Sequence, residues 1–130
     1  MVKLTGIVID DDSDIALLFK EMLSLHGINV LGIGKNGTEA IDLFTEKSPQ
    51  IVFMDVHMPK LNGIEALKKI KEISPQSVVV MITGDTSDAL KQSLHDVGMD
   101  AFISKPLSMQ KFNRVMNDIK SSKKLAPYVT

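Results

Sequence analysis

Ile51-Val-Phe-Met-Asp-Val-His-Met-Pro-Lys-Leu-Asn-Gly63 opens with four apolar residues in a row, presents a lone carboxylate at Asp55, and then passes through Met58-Pro59 to Asn62-Gly63. An apolar run that is continuous, not alternating, suits a strand covered on both faces, as in a parallel sheet. Ile64, Leu67 and Ile70 follow at helical spacing, so the stretch reads as strand, loop, helix.

The same order of elements holds on either side. Leu4-Thr-Gly-Ile-Val-Ile9, Val78-Val-Val-Met-Ile82 and Ala101-Phe-Ile-Ser104 are further continuous runs, and Asn29-Val-Leu-Gly-Ile33 is a weaker one. Helical spacing appears at Ile15, Leu18, Phe19 and Met22, at Ala40, Ile41 and Phe44, at Leu90, Leu94 and Val97, and at Phe112, Val115, Met116 and Ile119. Asn36 with Glu39 has the form of a capping box, and Ser87 and Ser108 stand where N-caps are expected. Gly27 and Gly98 fall just beyond helices, and Pro49 and Pro75 just before strands. Five strands alternating with five helices define a doubly wound α/β fold with a five-stranded parallel sheet, because parallel strands require right-handed crossovers.

Composition sets the outer limits. The chain has 130 residues, and 44% of them are hydrophobic, which is enough for one domain with its own core. Zero Cys excludes a disulfide framework, a thiolate metal site and a thiol nucleophile. No apolar run approaches the roughly 20 residues of a membrane span, and the start is too soon polar for a signal peptide, so the chain reads as soluble and cytoplasmic. Sixteen acids against 15 bases, with Arg114 the only arginine, argue against nucleic acid. The expected organisation is one domain over residues 1–124 and a short polar tail over 125–130. Met22, Met54, Met81 and Met116 fall on apolar positions and read as core filling; His26 and His95 read as helix-end or helix-surface residues.

Sheets of this kind carry their ligands at the carboxyl ends of the strands. Asp10-Asp11-Asp12 follow the first strand, Asp55 ends the third, Thr83-Gly84 the fourth, and Lys105-Pro106 the fifth. If the first and third strands are neighbours, at least three carboxylates crowd one site and need a cation. Oxygen donors without His or Cys select a hard ion, and few protein ligands with room for water suit Mg²⁺, with Mn²⁺ a tolerable substitute. Such an ion beside the Lys105 point charge and the Thr83 hydroxyl is equipped to bind a phosphoryl group, and Asp55 stands where a carboxylate nucleophile would form an aspartyl phosphate. Asp12 reads as an N-cap.

Asp10-Asp11, the run from Asp55 to Gly63, Thr83-Gly84 and Lys105-Pro106 together resemble the receiver domain of two-component response regulators, over residues 3 to about 122. The resemblance implies a flavodoxin-like fold with strand order 2-1-3-4-5. It implies that Asp55 is phosphorylated by a sensor histidine kinase or phosphotransfer protein, and that Asp10, Asp11, Asp55 and the backbone carbonyl of His57 bind Mg²⁺. It also implies that Thr83 and Phe102 switch together and remodel the face made by the fourth helix, fifth strand and fifth helix, which an output protein reads. His57 and Asp85 hold the positions that tune dephosphorylation, where an acidic Asp85 either orients the attacking water or repels it. Val56, Leu61 and Asp12 depart from the usual residues without removing a required group, and the last helix does not clearly carry the charged pattern of the dimerising transcription factors. The implied protein is a stand-alone, chemotaxis-regulator-like receiver. It catalyses only its own phosphorylation and dephosphorylation, and so is no enzyme in the ordinary sense.

Two rivals share these features. Asp10-x-Asp12 with Thr83 and Lys105 imitates the haloacid dehalogenase phosphatases, with Asp10 as nucleophile, but that family's acidic pair after the Lys is reduced here to Asp118. A flavin mononucleotide carrier needs a phosphate loop after the first strand, where three Asp would repel the phosphate.

Overall fold

A computed structural model of the chain describes residues 4–121; the tail expected over 125–130 lies outside them. Its elements are β1 (Thr5–Ile9), α1 (Ser13–Leu25), β2 (Asn29–Gly34), α2 (Gly37–Lys47), β3 (Ile51–Asp55), α3 (Gly63–Ile73), β4 (Val78–Thr83), α4 (Asp88–Val97), β5 (Ala101–Ser104) and α5 (Met109–Lys120). The strands form one parallel sheet in the order β2-β1-β3-β4-β5. All five expected strands and all five expected helices are present.

Burial explains which runs read clearly. β3 and β4 are buried at every residue because helices cover both of their faces. On one face Val8, Phe53, Val80 and Ile82 pack against Phe19 and Leu23 of α1 and Phe112 and Met116 of α5. On the other, Ile7, Ile9, Val52, Met54 and Met81 pack against Ala40 and Phe44 of α2, Leu67 and Ile70 of α3, and Leu94 of α4. Side chains that alternate across the sheet thus feed two cores, and both sets must be apolar. The edge strand β2 is only half-buried, and its pairing with β1 shifts register between Gly6 and Ile7, which accounts for its weaker signal.

The expected caps form. Asn36, Ser87 and Ser108 accept hydrogen bonds from the amides of Glu39, Leu90 and Lys111, and Asp12 accepts from Asp14 and Ile15. One face is corrected. α1 was expected to bury Ile15, Leu18, Phe19 and Met22, but it buries Ala16, Phe19, Met22 and Leu23 and leaves Leu18 50% exposed. With Phe19 anchored against the Phe53 and Phe112 rings, at 5.2 and 5.5 Å between centroids, the inward arc runs through residues three and four away, and Leu18 is turned off it. His26 is structural, its ring 4.9 Å from that of Phe112 and its Nε2 2.8 Å from Asn113 Oδ1. Among the described residues no helix is long and apolar enough to cross a membrane.

Candidate functional site

β1 and β3 are neighbours, so the loop after β1 and the last residue of β3 meet at the carboxyl edge of the sheet. Asp10 and Asp55 are buried, at 4% and 5% exposure, whereas Asp11 is exposed. Each of the three offers a carboxylate oxygen, and these oxygens lie within 4.8 Å of one another. Lys105, delivered just past β5, places Nζ 3.2 Å from Asp55 Oδ2 and 3.6 Å from Asp10 Oδ2. Asp10 Oδ1 accepts the Asp12 amide at 2.9 Å, which holds the carboxylate in place while Asp12 itself caps α1.

The electrostatics follow from this crowding. Burial pushes the Asp10 carboxyl above the ordinary aspartate value, and the charges of Asp55 and Asp11 add to the rise against the Asp12 amide and Lys105. Burial alone would depress the Lys105 ammonium, but the attraction of Asp55 and Asp10 outweighs it and raises it above the usual lysine value. Three carboxylates therefore face one ammonium. Their all-oxygen donor set fits a hard divalent cation.

Among the described residues, the other expected site residues make no side-chain hydrogen bond or ion pair with these three carboxylates. Thr83 ends β4 fully buried, its Oγ1 accepting the Asp85 amide at 3.0 Å and its carbonyl accepting the Lys105 amide at 2.9 Å. Since the hydroxyl accepts there, its own proton remains available to donate. Asp85 is exposed and spans the turn to α4; its carboxylate accepts the Ser87 amide at 2.9 Å, which, with the Ser87 hydroxyl and the charge of His57, lowers it below the ordinary aspartate value. His57 is exposed. Phe102 is half-buried on β5, with Lys91 Nζ 5.2 Å from the centre of its ring.

Sequence reasoning passed over what Asn62 and Gly63 do in the loop that starts at Asp55. Asn62 caps α3 by accepting the Glu65 amide at 3.0 Å. At Gly63 a β-carbon would stand 2.4 Å from the Asp55 carbonyl oxygen and 2.8 Å from Val56 Cα. Only glycine lets α3 start this close to the strand end. The signal was present in the Asn-Gly pair, but the approach it permits is a tertiary fact.

The model of the response regulator receiver domain matches residues 7–117. The chain is 29% identical to the chemotaxis protein CheY of Thermotoga maritima over 113 residues, 87% of this chain and 94% of that protein. It is 30% identical to CheY of Bacillus subtilis over 111 residues, 85% of this chain and 92% of the other. In the crystal structure of the CheX-CheY-BeF3-Mg complex from Borrelia burgdorferi, one chain superposes with a TM-score of 0.84 at 27% identity, covering 89% of each. The chain belongs to the receiver domain family of two-component response regulators. The match lends no support to a haloacid dehalogenase reading, and Asp10, with Oδ1 on the Asp12 amide and Oδ2 facing Lys105, is bound up in the site's own contacts.

Proposed function

We propose that this chain is a phosphoacceptor switch whose receiver domain spans residues 1–124 and whose acceptor is Asp55. The observation that carries the reading is the meeting of the Asp10, Asp11 and Asp55 oxygens within 4.8 Å, with Lys105 3.2 Å from Asp55. The donor is a phosphohistidine on a sensor kinase or phosphotransfer protein. An Asp55 carboxylate oxygen attacks phosphorus, the N–P bond breaks with its electron pair leaving on the imidazole, and an aspartyl phosphate results. Lys105 pairs with a phosphoryl oxygen in place of the carboxylate oxygen it now holds, and the Thr83 hydroxyl donates to another.

Mg²⁺, or Mn²⁺ in its place, would be held by Asp10, Asp11, Asp55 and the His57 carbonyl, and when bound supplies positive charge to the carboxylates and phosphoryl oxygens. Its role is supported by the donor chemistry of the cluster and by the related Borrelia CheY, which is found in a complex with BeF3 and Mg. Hydrolysis by water attacking phosphorus returns inorganic phosphate and the free carboxylate, with His57 and Asp85 shaping the water's approach. The phosphoryl acceptor is a residue of the chain itself, so the protein acts as a signalling switch that is set and reset at Asp55.

Thr83, drawn toward the phosphoryl group, and Phe102 couple the site to the face formed by α4, β5 and α5, where an output protein binds. That assignment is supported by a half-open groove of about 270 Å³ lined by Lys91, Phe102, Ile103, Lys111, Arg114 and Val115, among others. It is also supported by the light seating of α4, of which only Leu94 is buried.

Incubation with Mg²⁺ and acetyl phosphate followed by intact mass measurement tests the reading. Wild type gains one phosphoryl group and Asp55→Asn gains none. No gain by wild type, or an equal gain by Asp55→Asn, overturns it.

A further inference from the structure

The loop over residues 56–62 leaves the sheet at Asp55, where the Val56 amide donates to the Ile82 carbonyl at 3.0 Å, and beyond that it is held at two points. At its end the Gly63 amide donates to the Val56 carbonyl at 2.9 Å, closing the loop on itself. The second hold comes from a different crossover. Gly37, the first residue of α2, donates its amide to the Leu61 carbonyl at 2.9 Å. It lies so close that a β-carbon there would stand 2.1 Å from that oxygen, 2.7 Å from its carbon and 2.8 Å from Leu61 Cβ.

This close approach differs in kind from those at Gly32 and Gly34. A β-carbon on either would first meet the end of a flexible side chain, Leu43 Cδ2 or Ile9 Cδ1, each at 2.9 Å. At Gly37 the obstacle is main chain, which cannot rotate aside. Nor is α2 free to withdraw. Asn36 is buried and accepts the Glu39 amide at 2.9 Å, Glu39 Oε1 accepts the Lys35 amide at 3.2 Å, and Ala40 and Phe44 are seated in the core. The start of α2 is thus a fixed post for the far end of the acceptor loop.

We infer that Gly37 is a positioning residue of the acceptor site. By setting where the Leu61 carbonyl lies, it fixes, through a short closed loop, the placement of the His57 carbonyl and the main chain leaving Asp55. The inference rests on the phosphoacceptor reading above. A side chain at residue 37 displaces the loop, and the site loses its cation geometry while the sheet and the three carboxylates stay in place.

The test compares Gly37→Ala with Gly98→Ala, a substitution at the far end of α4. There φ is +113°, so a side chain is strained, but the nearest atoms to a β-carbon are those of Lys71 at 3.8 Å and beyond. Calorimetric titration with Mg²⁺ should show affinity falling by about 10- to 100-fold in Gly37→Ala, the range seen when a group supporting metal ligands is removed. Gly98→Ala should stay within about twofold of wild type although it melts lower. In metal-free protein the amide resonances of residues 56–62 should move in Gly37→Ala and not in Gly98→Ala. Wild-type affinity in Gly37→Ala, or an equal loss in Gly98→Ala, overturns the inference.

If Gly37→Ala does not fold, wild-type hydrogen exchange decides. Coupling between the loop and the cation is reciprocal, so saturating Mg²⁺ must slow exchange of the Gly37 amide. Unchanged exchange refutes the inference. A wild type that takes up neither Mg²⁺ nor a phosphoryl group refutes the acceptor reading and this inference with it, whereas a phosphorylatable wild type matched by Gly37→Ala refutes the inference alone.

Discussion

Asp10→Asn should stabilise the cation-free protein and remove its response to Mg²⁺. The substitution is nearly isosteric, and the amide oxygen can still accept the Asp12 amide now held at 2.9 Å. What changes is charge. At an effective dielectric near 20, a carboxylate 3.6 Å from an ammonium gains about 4.6 kcal/mol, while two carboxylates with oxygens no more than 4.8 Å apart lose about 3.5 kcal/mol or more. Asp10 therefore gains from Lys105 roughly what it loses to Asp55, with exposed Asp11 adding a screened repulsion. Burial at 4% exposure tips the sum against the charge. The net relief from neutralising Asp10 is about 1–2 kcal/mol, or roughly 3–8 °C in Tm for a domain of this size.

The sign has a pH signature. The folded Asp10 value lies above the 3.8 of the unfolded chain, so the folded state holds the proton more tightly. The penalty is absent below that unfolded value, grows as pH rises toward the folded one, and is fully present above it. The advantage of Asp10→Asn in chelator should therefore shrink as pH falls from about 7.5 toward 4. Mg²⁺ should reverse the order, because a cation at a hundred times its Kd stabilises wild type by about 2.7 kcal/mol and the variant hardly at all. Thermal unfolding followed by circular dichroism, in chelator and in Mg²⁺, measures all three effects. A variant that melts at or below wild type in chelator at neutral pH, or gains as much from Mg²⁺, would refute the account.

Three further outcomes are expected. Lys105→Ala should lose about 2–3 kcal/mol in chelator, because Asp10 and Asp55 lose their cation; this loss should hold steady across about pH 7 to 9 and fade only above 10.5, where wild-type Lys105 itself begins to discharge. In the same variant, phosphorylation should no longer shift the amide resonances around Phe102. Gly63→Ala should cost about 3 kcal/mol or more by chemical denaturation, since its β-carbon meets the Asp55 carbonyl oxygen and Val56 Cα with no side chain able to yield first. Lys71→Met should cost about 2–4 kcal/mol, because Lys71 Nζ donates to both the Ser77 carbonyl and Asp100, whose carboxylate also accepts the Val79 amide at 2.8 Å.

The parts of the fold that could be read from sequence are those with a local cause. β3 and β4 appear as unbroken apolar runs because each of their residues faces a helix layer, whereas β2, at an edge and with a register shift, is faint. The caps at Asn36, Ser87 and Ser108 were legible because a cap is a contact between residues three apart. The face of α1 was misread at Leu18 because periodicity locates a stripe only to within a residue or so; the Phe19, Phe53 and Phe112 rings decide which arc turns inward.

By itself the sequence determined the alternation of five strands and five helices and the residues at each strand end: Asp10, Asp11, Asp55, Thr83 and Lys105. These follow from hydrophobic periodicity and turn chemistry, which act over a few residues. Only the tertiary structure decided that Lys105 spans Asp55 and Asp10, that Phe102 lies beneath Lys91, and that Gly37 braces the loop at Leu61. Most of these contacts join elements far apart in the chain. Their distances are set by how the crossovers pack on the twisted sheet, and no local pattern encodes that.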